Sequence, residues 1–252
     1  MIRLVRKNGG VSMKVIAKIH SDFPSKFGIP RQSGLVDTLT ARIIFEPEYR
    51  DANAVRGLDG FSHIWLIWEF SKSVRDTWSP TVKPPRLGGN TRMGVFATRS
   101  PFRPNPIGLS CVLLERIEYS KAYGPILHVR GADLLDQTPI YDIKPYLPYT
   151  ESHPDAKAGF AAEHVYESLD VEIEEQWLTL IPVEKQDALI KVLRQDPRPS
   201  YQQDASRIYG MEFAGFEVKF TVEENRLKVY QIGPIERIVH EVRYLNDDSF
   251  IQ

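Results

Sequence analysis

The stretches HIWLIWEF (residues 63–70) and LSCVLLERIEYS (residues 109–120) carry the strongest structural signal in this sequence. Both are short, apolar and rich in β-branched or aromatic residues, and turn residues such as Asp59-Gly60 lie beside them. Runs of this kind predict β-strands that are buried on at least one face. Further strands of the same type are predicted at residues 13–20, 41–46, 93–98 and 125–130.

The order of the predicted elements indicates a mainly β fold. Only one short helix is predicted in the first 150 residues, at residues 51–56, where Asp51 is placed to cap its first turn. The alternation of strands and helices that builds a doubly wound parallel sheet is absent. Several short strands joined by loops predict a sheet that closes into a barrel, because closure removes exposed edges. We therefore predict a small closed β-barrel as the N-terminal domain, residues 13–150.

The sequence changes character after this predicted barrel. Residues 182–195 (PVEKQDALIKVLRQ) predict an amphipathic helix. The sequence DPRP directly after them ends the helix, because a residue before proline avoids helical backbone angles. Residues 213–222 and 226–232 then predict a hairpin. Residues 151–252 are therefore expected to form a smaller α+β C-terminal domain.

The chain of 252 residues has an ordinary globular composition, with 42% hydrophobic and 26% charged residues. Its single cysteine, Cys111, excludes an intrachain disulfide and a zinc site built from cysteines. A reducing, cytoplasmic compartment fits this composition best. No apolar run reaches the roughly 18 residues that suggest a membrane span, and residues 1–10 lack the apolar core of a signal peptide. We interpret residues 1–12 as an extension or a misassigned start.

The formal net charge of −1 hides a local imbalance. Residues 77–110 contain five cationic side chains and no carboxylate, whereas residues 151–175 contain eight carboxylates and one lysine. The basic stretch is rich in proline and glycine, which is typical of loops rather than of a helix face. A basic loop in a nearly neutral protein suits an anionic partner that binds at one local patch, and an ordinary surface with unevenly spaced charges is the alternative interpretation.

Several widespread catalytic and nucleotide-binding motifs are missing from the sequence. It contains neither a G-x-x-x-x-G-K-[ST] phosphate loop nor a G-x-G-x-x-G turn after a strand. Its six histidines show no metal-binding spacing such as H-E-x-x-H, and there is no G-x-S-x-G nucleophile turn. These absences argue against a Rossmann-type cofactor site, a metal hydrolase and an esterase. No metal ion is predicted.

The densest polar segment is MGVFATRSPFRPNPIGLS, residues 93–110. It holds Arg99, Arg103 and Asn105 among three prolines. Because proline fixes φ, such a loop loses little conformational entropy when it is ordered. A stiff loop with two guanidinium groups is suited to hold a carboxylate or a phosphate. The alternative interpretation is a stiff barrel connection whose arginines are solvated.

A second segment, GADLLDQTPIYDIKPYLPY at residues 131–149, combines aspartates with tyrosines. Carboxylates such as Asp133 and Asp136 accept hydrogen bonds from ribose hydroxyls or ammonium groups. Tyr146 and Tyr149 offer faces on which a nucleobase can stack. A purely structural interpretation stays open, in which the aspartates cap turns and the tyrosines pack in the core.

These segments, together with GIPRQSG (28–34), RGLDGFSH (56–63), KPPRLGGN (83–90) and DPRPSY (196–201), closely resemble the TsaA-like family, also called the TrmO family. The resemblance covers nearly the whole chain after Met13. It implies a barrel that binds S-adenosyl-L-methionine, works as a homodimer and is assisted in tRNA binding by its C-terminal domain. The implied activity is that of a tRNA (adenine(37)-N6)-methyltransferase, which adds a methyl group to N6-threonylcarbamoyladenosine next to the anticodon.

The resemblance also implies which residues contact the cofactor. Ser71 and Lys72 stand where a histidine and another polar residue are expected. Ser33 replaces a frequent proline, and Leu109 replaces a methionine. The implied cofactor contacts are Arg31, Gln32, Ser33, Ser71, Lys72, Arg99, Leu109, Asp133, Leu134, Leu135 and Asp136.

The implied reaction places modest demands on the protein. Methyl transfer from a sulfonium is an in-line displacement, which requires mainly that donor and acceptor are positioned. The acceptor nitrogen carries a carbonyl substituent and must lose its proton, and a nearby base can assist this step. Asp133, Asp136 and Tyr146 are all candidates for the catalytic base, and the sequence does not choose among them.

The tRNA-binding residues are expected in the basic stretch. Lys83, Arg86 and Arg92 are predicted to contact phosphates, which makes the affinity sensitive to salt. Arg103 and Asn105 are expected to face the modified nucleotide, because its threonyl carboxylate requires a cation. Tyrosines of the second segment are candidates for stacking on a base of the anticodon loop.

Two other interpretations stay open as alternatives to a methyltransferase. A barrel of this kind could hold S-adenosylmethionine or another nucleotide as a non-catalytic regulator, or the chain could bind tRNA without a cofactor. The cofactor hypotheses require Arg99, Asp133 and Asp136 to face a common pocket. Turnover distinguishes the enzyme from the regulator.

Overall fold

Strands β3 (His63–Glu69) and β6 (Ile107–Ser120) pair along the whole length of β3, as the two apolar stretches predict. Side chains alternate between the two faces of each strand, so every second residue of β3 is buried and its neighbours are half-buried. The structure is a computed structural model that describes residues 13–84, 91–162, 168–198 and 204–235.

The barrel contains four further strands, β1 (Ala17–His20), β2 (Thr40–Phe45), β7 (Gly124–Arg130) and β8 (Pro139–Pro145). The six strands close in the order β1-β2-β7-β6-β3-β8, and every neighbouring pair is antiparallel. Apolar side chains such as the fully buried Ile43 fill the interior. The predicted mainly β fold with a small closed barrel is therefore confirmed.

The strand predicted at residues 93–98 is wrong. Only Met93–Gly94 (β5) forms a strand, which pairs with β4 (Thr81–Val82), and Val95–Ala97 continues as a 3-10 turn. Strand β8 is missing from the sequence prediction because prolines stand at both of its ends, and proline is disfavoured within strands.

The helical turn predicted at residues 51–56 is confirmed. It is the short 3-10 helix Ala52–Val55, and the Asp51 carboxylate accepts a hydrogen bond of 2.8 Å from the Asn53 backbone N–H. This is the capping interaction expected of an aspartate at the start of a helical turn.

The C-terminal part of the chain contains a four-stranded sheet. Its strands are β9 (Asp170–Ile173), β10 (Tyr209–Phe213), β11 (Phe216–Glu223) and β12 (Arg226–Pro234). They lie in the order β10-β11-β12-β9, and β9 is parallel to β12. The sequence predicts residues 213–222 as one strand, but the chain turns after β10 through two residues with positive φ, Ala214 and Gly215.

Helix α3 (Val183–Arg194) confirms the predicted amphipathic helix. Its residues Leu189, Val192 and Leu193 are buried against the C-terminal sheet. Single helical turns α1 (Pro148–Glu151) and α2 (Glu175–Leu178) precede it. Within the described residues, no helix has the length and apolar character to cross a membrane.

The segment between β1 and β2, residues 21–39, joins the two parts of the chain. Phe23, Val36 and Leu39 of this segment are buried in the C-terminal core, together with α3 and the four-stranded sheet. The Ala214 backbone N–H donates a hydrogen bond of 2.9 Å to the Asp22 carbonyl. Loop residues 31–33 are thus fixed between the barrel and the C-terminal part.

Candidate functional site

Three connections leave the barrel at the same end, because neighbouring strands are antiparallel. They join β1 to β2, β3 to β6 and β7 to β8. Two of them meet closely, since the Gly34 N–H donates a hydrogen bond of 2.9 Å to the Gly131 carbonyl. A β-carbon on Gly131 would lie 3.4 Å from the Gly34 backbone, and both glycines have positive φ. Small residues here let the loop after β1 lie directly on the loop after β7.

Asp133 lies at this end of the barrel, on the loop after β7. Its carboxylate accepts a hydrogen bond of 2.6 Å from the Ser110 hydroxyl, whose oxygen accepts one of 3.0 Å from the Trp68 indole N–H. Burial raises the pKa of the Asp133 carboxyl above its ordinary value. This effect outweighs the lowering effects of the Ser110 hydroxyl, the Arg99 charge and the Ser33 backbone amide.

Arg99 reaches the same place from the loop before β6. Its exposed guanidinium donates a hydrogen bond to the Gln32 side-chain carbonyl, and its charge acts on Asp133. The Gln32 amide nitrogen donates to the Arg31 carbonyl at 2.5 Å, and Arg31 itself donates to the Arg198 carbonyl at 3.3 Å. We call Gln32, Ser33, Arg99, Ser110 and Asp133 the polar cluster.

Ser110 and Trp68 are not predicted from the sequence. Ser110 belongs to the polar cluster, and Trp68 donates a hydrogen bond to it. Ser110 is buried on the inner face of β6, where the neighbouring inward position is Gly108. A β-carbon on Gly108 would lie 2.3 Å from the Trp68 ring, so glycine makes room for the indole. Two small residues at inward positions, opposite a tryptophan, are the signal that points to this arrangement.

Ser71 and Lys72 follow β3 at the same barrel end. Their side chains are exposed. The Lys72 carbonyl accepts a hydrogen bond of 2.8 Å from the Lys26 ammonium group, which also donates to the Ser73 hydroxyl at 2.9 Å. The loop after β3 is therefore tied to the loop after β1, which carries three predicted cofactor contacts.

The other predicted cofactor contacts lie apart from the polar cluster. Leu109 is 55% exposed on the outer face of β6, opposite to the direction in which Ser110 points. Leu134 is fully buried in the barrel core, and Leu135 is half-buried.

Asp136 has surroundings of its own. Its carboxylate accepts a hydrogen bond of 3.1 Å from the Ser21 backbone N–H. It lines a pocket of about 370 Å³ on the side of the barrel, together with His20, Arg42, His128 and Lys185 among other residues. Of the three residues expected to face a common pocket, Arg99 and Asp133 thus lie together, whereas Asp136 faces a different pocket three positions further along the chain.

Tyr146 lies near the opposite end of β3 from Trp68. Its backbone N–H donates to the carbonyl of His63, the first residue of β3, at 3.0 Å. Its ring contacts the rings of His63 and Trp65, with centroids 6.3 and 5.9 Å away. The structure therefore separates the three candidate bases, and Asp133 is the one beside Arg99. Tyr149, the other tyrosine proposed for stacking, is exposed in α1.

The predicted tRNA contacts lie on the loops before β6. The Arg103 guanidinium donates to the carbonyls of Thr98 and Ser100, at 2.9 and 3.4 Å, and Asn105 is exposed. Arg92 donates to the Thr81 hydroxyl at 2.7 Å, and Lys83 is exposed. Arg86 lies outside the described residues.

The polar cluster offers hydrogen-bond donors and acceptors rather than a metal site. In the part of the chain that the structure describes, no three histidine, cysteine, aspartate or glutamate side chains are grouped to hold a metal ion. An exposed guanidinium can bind an anionic group of a ligand, and the carboxylate form of the neighbouring Asp133 can accept a proton.

The chain combines a closed antiparallel barrel that has a polar cluster at one end with a small α+β part. Comparison with known proteins shows which class of protein has this arrangement. Residues 18–152 match the family model described as the tRNA-methyltransferase O N-terminal domain. Residues 167–235 match the TrmO C-terminal domain. The chain belongs to the tRNA-methyltransferase O family, which confirms the resemblance found in its sequence.

Named relatives support this assignment. The chain is 44% identical over 227 residues to the tRNA (adenine(37)-N6)-methyltransferase of Escherichia coli K12, covering 87% of this chain and 96% of that protein. It is 38% identical over 215 residues to a putative S-adenosylmethionine-dependent methyltransferase of Pseudomonas aeruginosa, covering 82% and 90% of the two chains. The crystal structure of TrmO from P. aeruginosa matches with a TM-score of 0.73 and 31% identity, covering 90% of this chain and 99% of that one.

Proposed function

We propose that this protein transfers a methyl group from S-adenosyl-L-methionine to N6 of N6-threonylcarbamoyladenosine at position 37 of tRNA. The observation that carries the proposal is the polar cluster at one barrel end, where Arg99 donates a hydrogen bond to Gln32 and its charge acts on Asp133 from a separate loop. The family and the names of the relatives support the same reaction. We place the protein in the cytoplasm, where tRNA is found.

The residues of the polar cluster fit the chemical groups of S-adenosylmethionine. The exposed Arg99 guanidinium suits the carboxylate of this molecule, and the Asp133 carboxyl group suits its ammonium group or ribose hydroxyls. The loop with Arg31, Gln32 and Ser33 forms the adjoining wall. When bound, the cofactor supplies an electrophilic methyl group on a sulfonium, and the protein holds the acceptor in line with it.

Asp133 is our candidate for the group that accepts the proton of the acceptor nitrogen. A base is most effective when its pKa is close to the working pH, and burial raises the pKa of the Asp133 carboxyl in that direction. Asp133 also lies beside Arg99, whereas Asp136 and Tyr146 contact other parts of the barrel.

Arg103 and Asn105 are our candidates for binding the threonyl carboxylate of the anticodon-loop nucleotide. Two backbone carbonyls fix the Arg103 guanidinium on the stiff loop that also carries Arg99. Replacing Arg103 by alanine should raise KM for the modified tRNA by about tenfold, because one charge-assisted hydrogen bond is lost. Unchanged affinity and turnover in this variant would contradict the assignment.

A homodimer is supported by an apolar stripe on the outer surface of the barrel. Leu109 and Leu113 of β6 are exposed, and Leu109 lies opposite the half-buried Ile67 of β3. Contiguous apolar surface of this kind favours association with another chain. Replacing Leu109 by glutamate should convert the dimer to a monomer in light scattering, and a wild type that is already monomeric would contradict the dimer.

The C-terminal part is proposed to assist tRNA binding. Its core encloses Phe23, Val36 and Leu39 of the segment that carries Arg31, so it holds one wall of the cofactor site in place. The division into domains at residues 13–150 and 151–252 stays a prediction, since the segment 21–39 packs on both sides of it.

The decisive experiment measures turnover with defined tRNA. The protein is incubated with S-adenosylmethionine carrying a labelled methyl group and with tRNA that either bears or lacks the threonylcarbamoyl group. Label should appear only on the modified tRNA. Equal labelling of both tRNAs would contradict the proposed acceptor, and cofactor binding without any label transfer would favour a regulatory barrel.

A further inference from the structure

Two large aromatic side chains project into solvent on the loops before β6. The exposed fractions of Trp78 and Phe96 are 54% and 73%. Their ring centroids are 6.3 Å apart, with an angle of 32° between the ring planes. Single exposed apolar residues are common, but two such rings that contact each other form a small apolar surface available to a ligand.

Backbone hydrogen bonds, rather than burial of the rings, hold this pair together. The Val95 N–H donates to the Pro80 carbonyl at 2.9 Å, and the short strands β4 and β5 pair between them. Val95 is buried, whereas Phe96 beside it points outward. The fold thus anchors both loops, and among the described residues both rings stay exposed.

Cationic side chains lie on the same loops as the aromatic pair. The Arg92 guanidinium is held near it by the Thr81 hydroxyl at 2.7 Å, the Thr81 carbonyl at 3.3 Å and the Ser79 hydroxyl at 3.5 Å. The Arg75 guanidinium lies over the ring of Phe102, 3.7 Å from its centroid. Residues 77–110 contain no carboxylate, and the nearest one before them in the sequence is Asp76. Such surroundings complement a polyanion.

The pair also lies close to the polar cluster. Phe96 precedes Arg99 by three residues, a chain length of at most about 10 Å. A base that stacks here would therefore be a near neighbour of a nucleotide that reaches Arg99 and Asp133.

We propose that Trp78 and Phe96 form a stacking platform for an unpaired base of the tRNA anticodon loop, with Arg92 contacting an adjoining phosphate. The proposal rests on the proposed function and adds residues that determine the binding of its substrate. Single-stranded RNA is recognised by stacking of unpaired bases on aromatic side chains, and basic groups beside them bind the backbone.

The test compares Trp78→Ala and Phe96→Ala with Tyr119→Ala. Tyr119 is 64% exposed near the far end of β6 and serves as a matched control for the loss of an exposed aromatic ring. We expect each platform variant to raise KM for the modified tRNA about tenfold, the size of effect that loss of one stacking contact produces. Turnover at saturation, cofactor affinity and melting temperature should stay unchanged, and the Trp78→Phe variant should retain most of the affinity.

A direct readout is the tryptophan fluorescence of the protein. Modified tRNA should quench the emission of the wild type, and this quenching should decrease in Trp78→Phe, which keeps the ring stacking but removes one indole. Quenching that is equal in both proteins would overturn the proposal, as would a KM within twofold of the wild type in both alanine variants. A change of oligomeric mass without a change in tRNA affinity would instead identify a subunit contact and also overturn it.

The outcome separates this proposal from the proposed function. If the wild type does not methylate modified tRNA, the proposed function is wrong, and the quenching titration still decides whether tRNA binds over Trp78. If the wild type is active and the platform variants match the Tyr119→Ala control, only the platform is wrong.

Discussion

Asp133 and Asp136 lie on one turn and carry the same carboxyl group, but the two carboxyl groups contact different parts of the molecule. Asp133 contacts the Ser110 hydroxyl inside the barrel end and lies within reach of the Arg99 charge. Asp136 accepts a hydrogen bond from the Ser21 backbone and faces a lateral pocket that also contains Lys185. The difference teaches that three positions along a turn are enough to place one carboxylate beside Ser110 and Arg99 and the other beside the Ser21 backbone.

The largest expected effect distinguishes the two carboxyl groups by activity. Asp133→Asn should lower kcat by about 100-fold or more, because an amide cannot accept the proton of the acceptor nitrogen. Asp136→Asn should change kcat by less than about threefold, which corresponds to under 1 kcal/mol in the barrier. Initial rates of methyl transfer at saturating tRNA and cofactor measure both.

Cofactor binding provides the control for this pair of variants. If Asp133→Asn weakens binding of S-adenosylmethionine but leaves kcat unchanged, Asp133 binds the cofactor and is not the base. Equal losses of kcat in both variants would remove the functional difference between the two aspartates. Circular dichroism melting curves confirm that both variants are folded.

A smaller effect tests whether Arg99 binds the cofactor and whether its charge acts on the Asp133 carboxyl group. Arg99→Ala should weaken cofactor binding by about tenfold, because a charge-assisted hydrogen bond is lost. It should also raise the pKa of the Asp133 carboxyl further, since the positive charge of Arg99 lowers that pKa in the wild type. A base works when deprotonated, so the acidic limb of the kcat profile should move to higher pH.

Arg99→Lys is the matched control, because it keeps the positive charge but loses the fork geometry of the guanidinium. Its acidic limb should stay near that of the wild type, while its cofactor affinity decreases. A pH profile that is the same in all three proteins would separate Arg99 from the ionisation of Asp133.

The barrel itself can be predicted from the sequence because its strands carry strong local signals. The β-branched and aromatic residues of β3 and β6 identify both strands, and the apolar face of α3 identifies the helix. Strand β8 is not predicted because it begins and ends with proline, and proline is disfavoured within strands. The turn at Ala214 is not predicted because alanine rarely adopts a positive φ, so its presence does not indicate a turn.

The polar cluster is only partly predictable, because its members are distant in the chain. Gln32 and Arg99 are 67 residues apart and meet through a single hydrogen bond. Resemblance to a family points to both residues, whereas Ser110 and its bond to Asp133 follow from the inward direction of a β6 position. Which way an aspartate points from a turn depends on the backbone of that turn, so the sequence cannot distinguish Asp133 from Asp136.

The smallest expected effect tests whether the lateral pocket that Asp136 lines contributes to stability and not to the reaction. Lys185 of α3 lines the lateral pocket and donates to the Asp22 carboxylate at 2.5 Å and to the Thr40 hydroxyl at 2.7 Å. Lys185→Met should lower the free energy of unfolding by about 1–3 kcal/mol, because it leaves a half-buried carboxylate without its partner. Urea unfolding curves measure this loss, and kcat should stay at the wild-type value.

Lys191→Met on the same helix is the matched control. Lys191 pairs with Asp37 at 2.8 Å, also across the junction between α3 and the segment 21–39, but this pair is solvated and should contribute less to stability. If Lys185→Met lowered kcat while Lys191→Met did not, the lateral pocket would take part in the reaction. Asp136 would then share the catalytic role that we propose for Asp133.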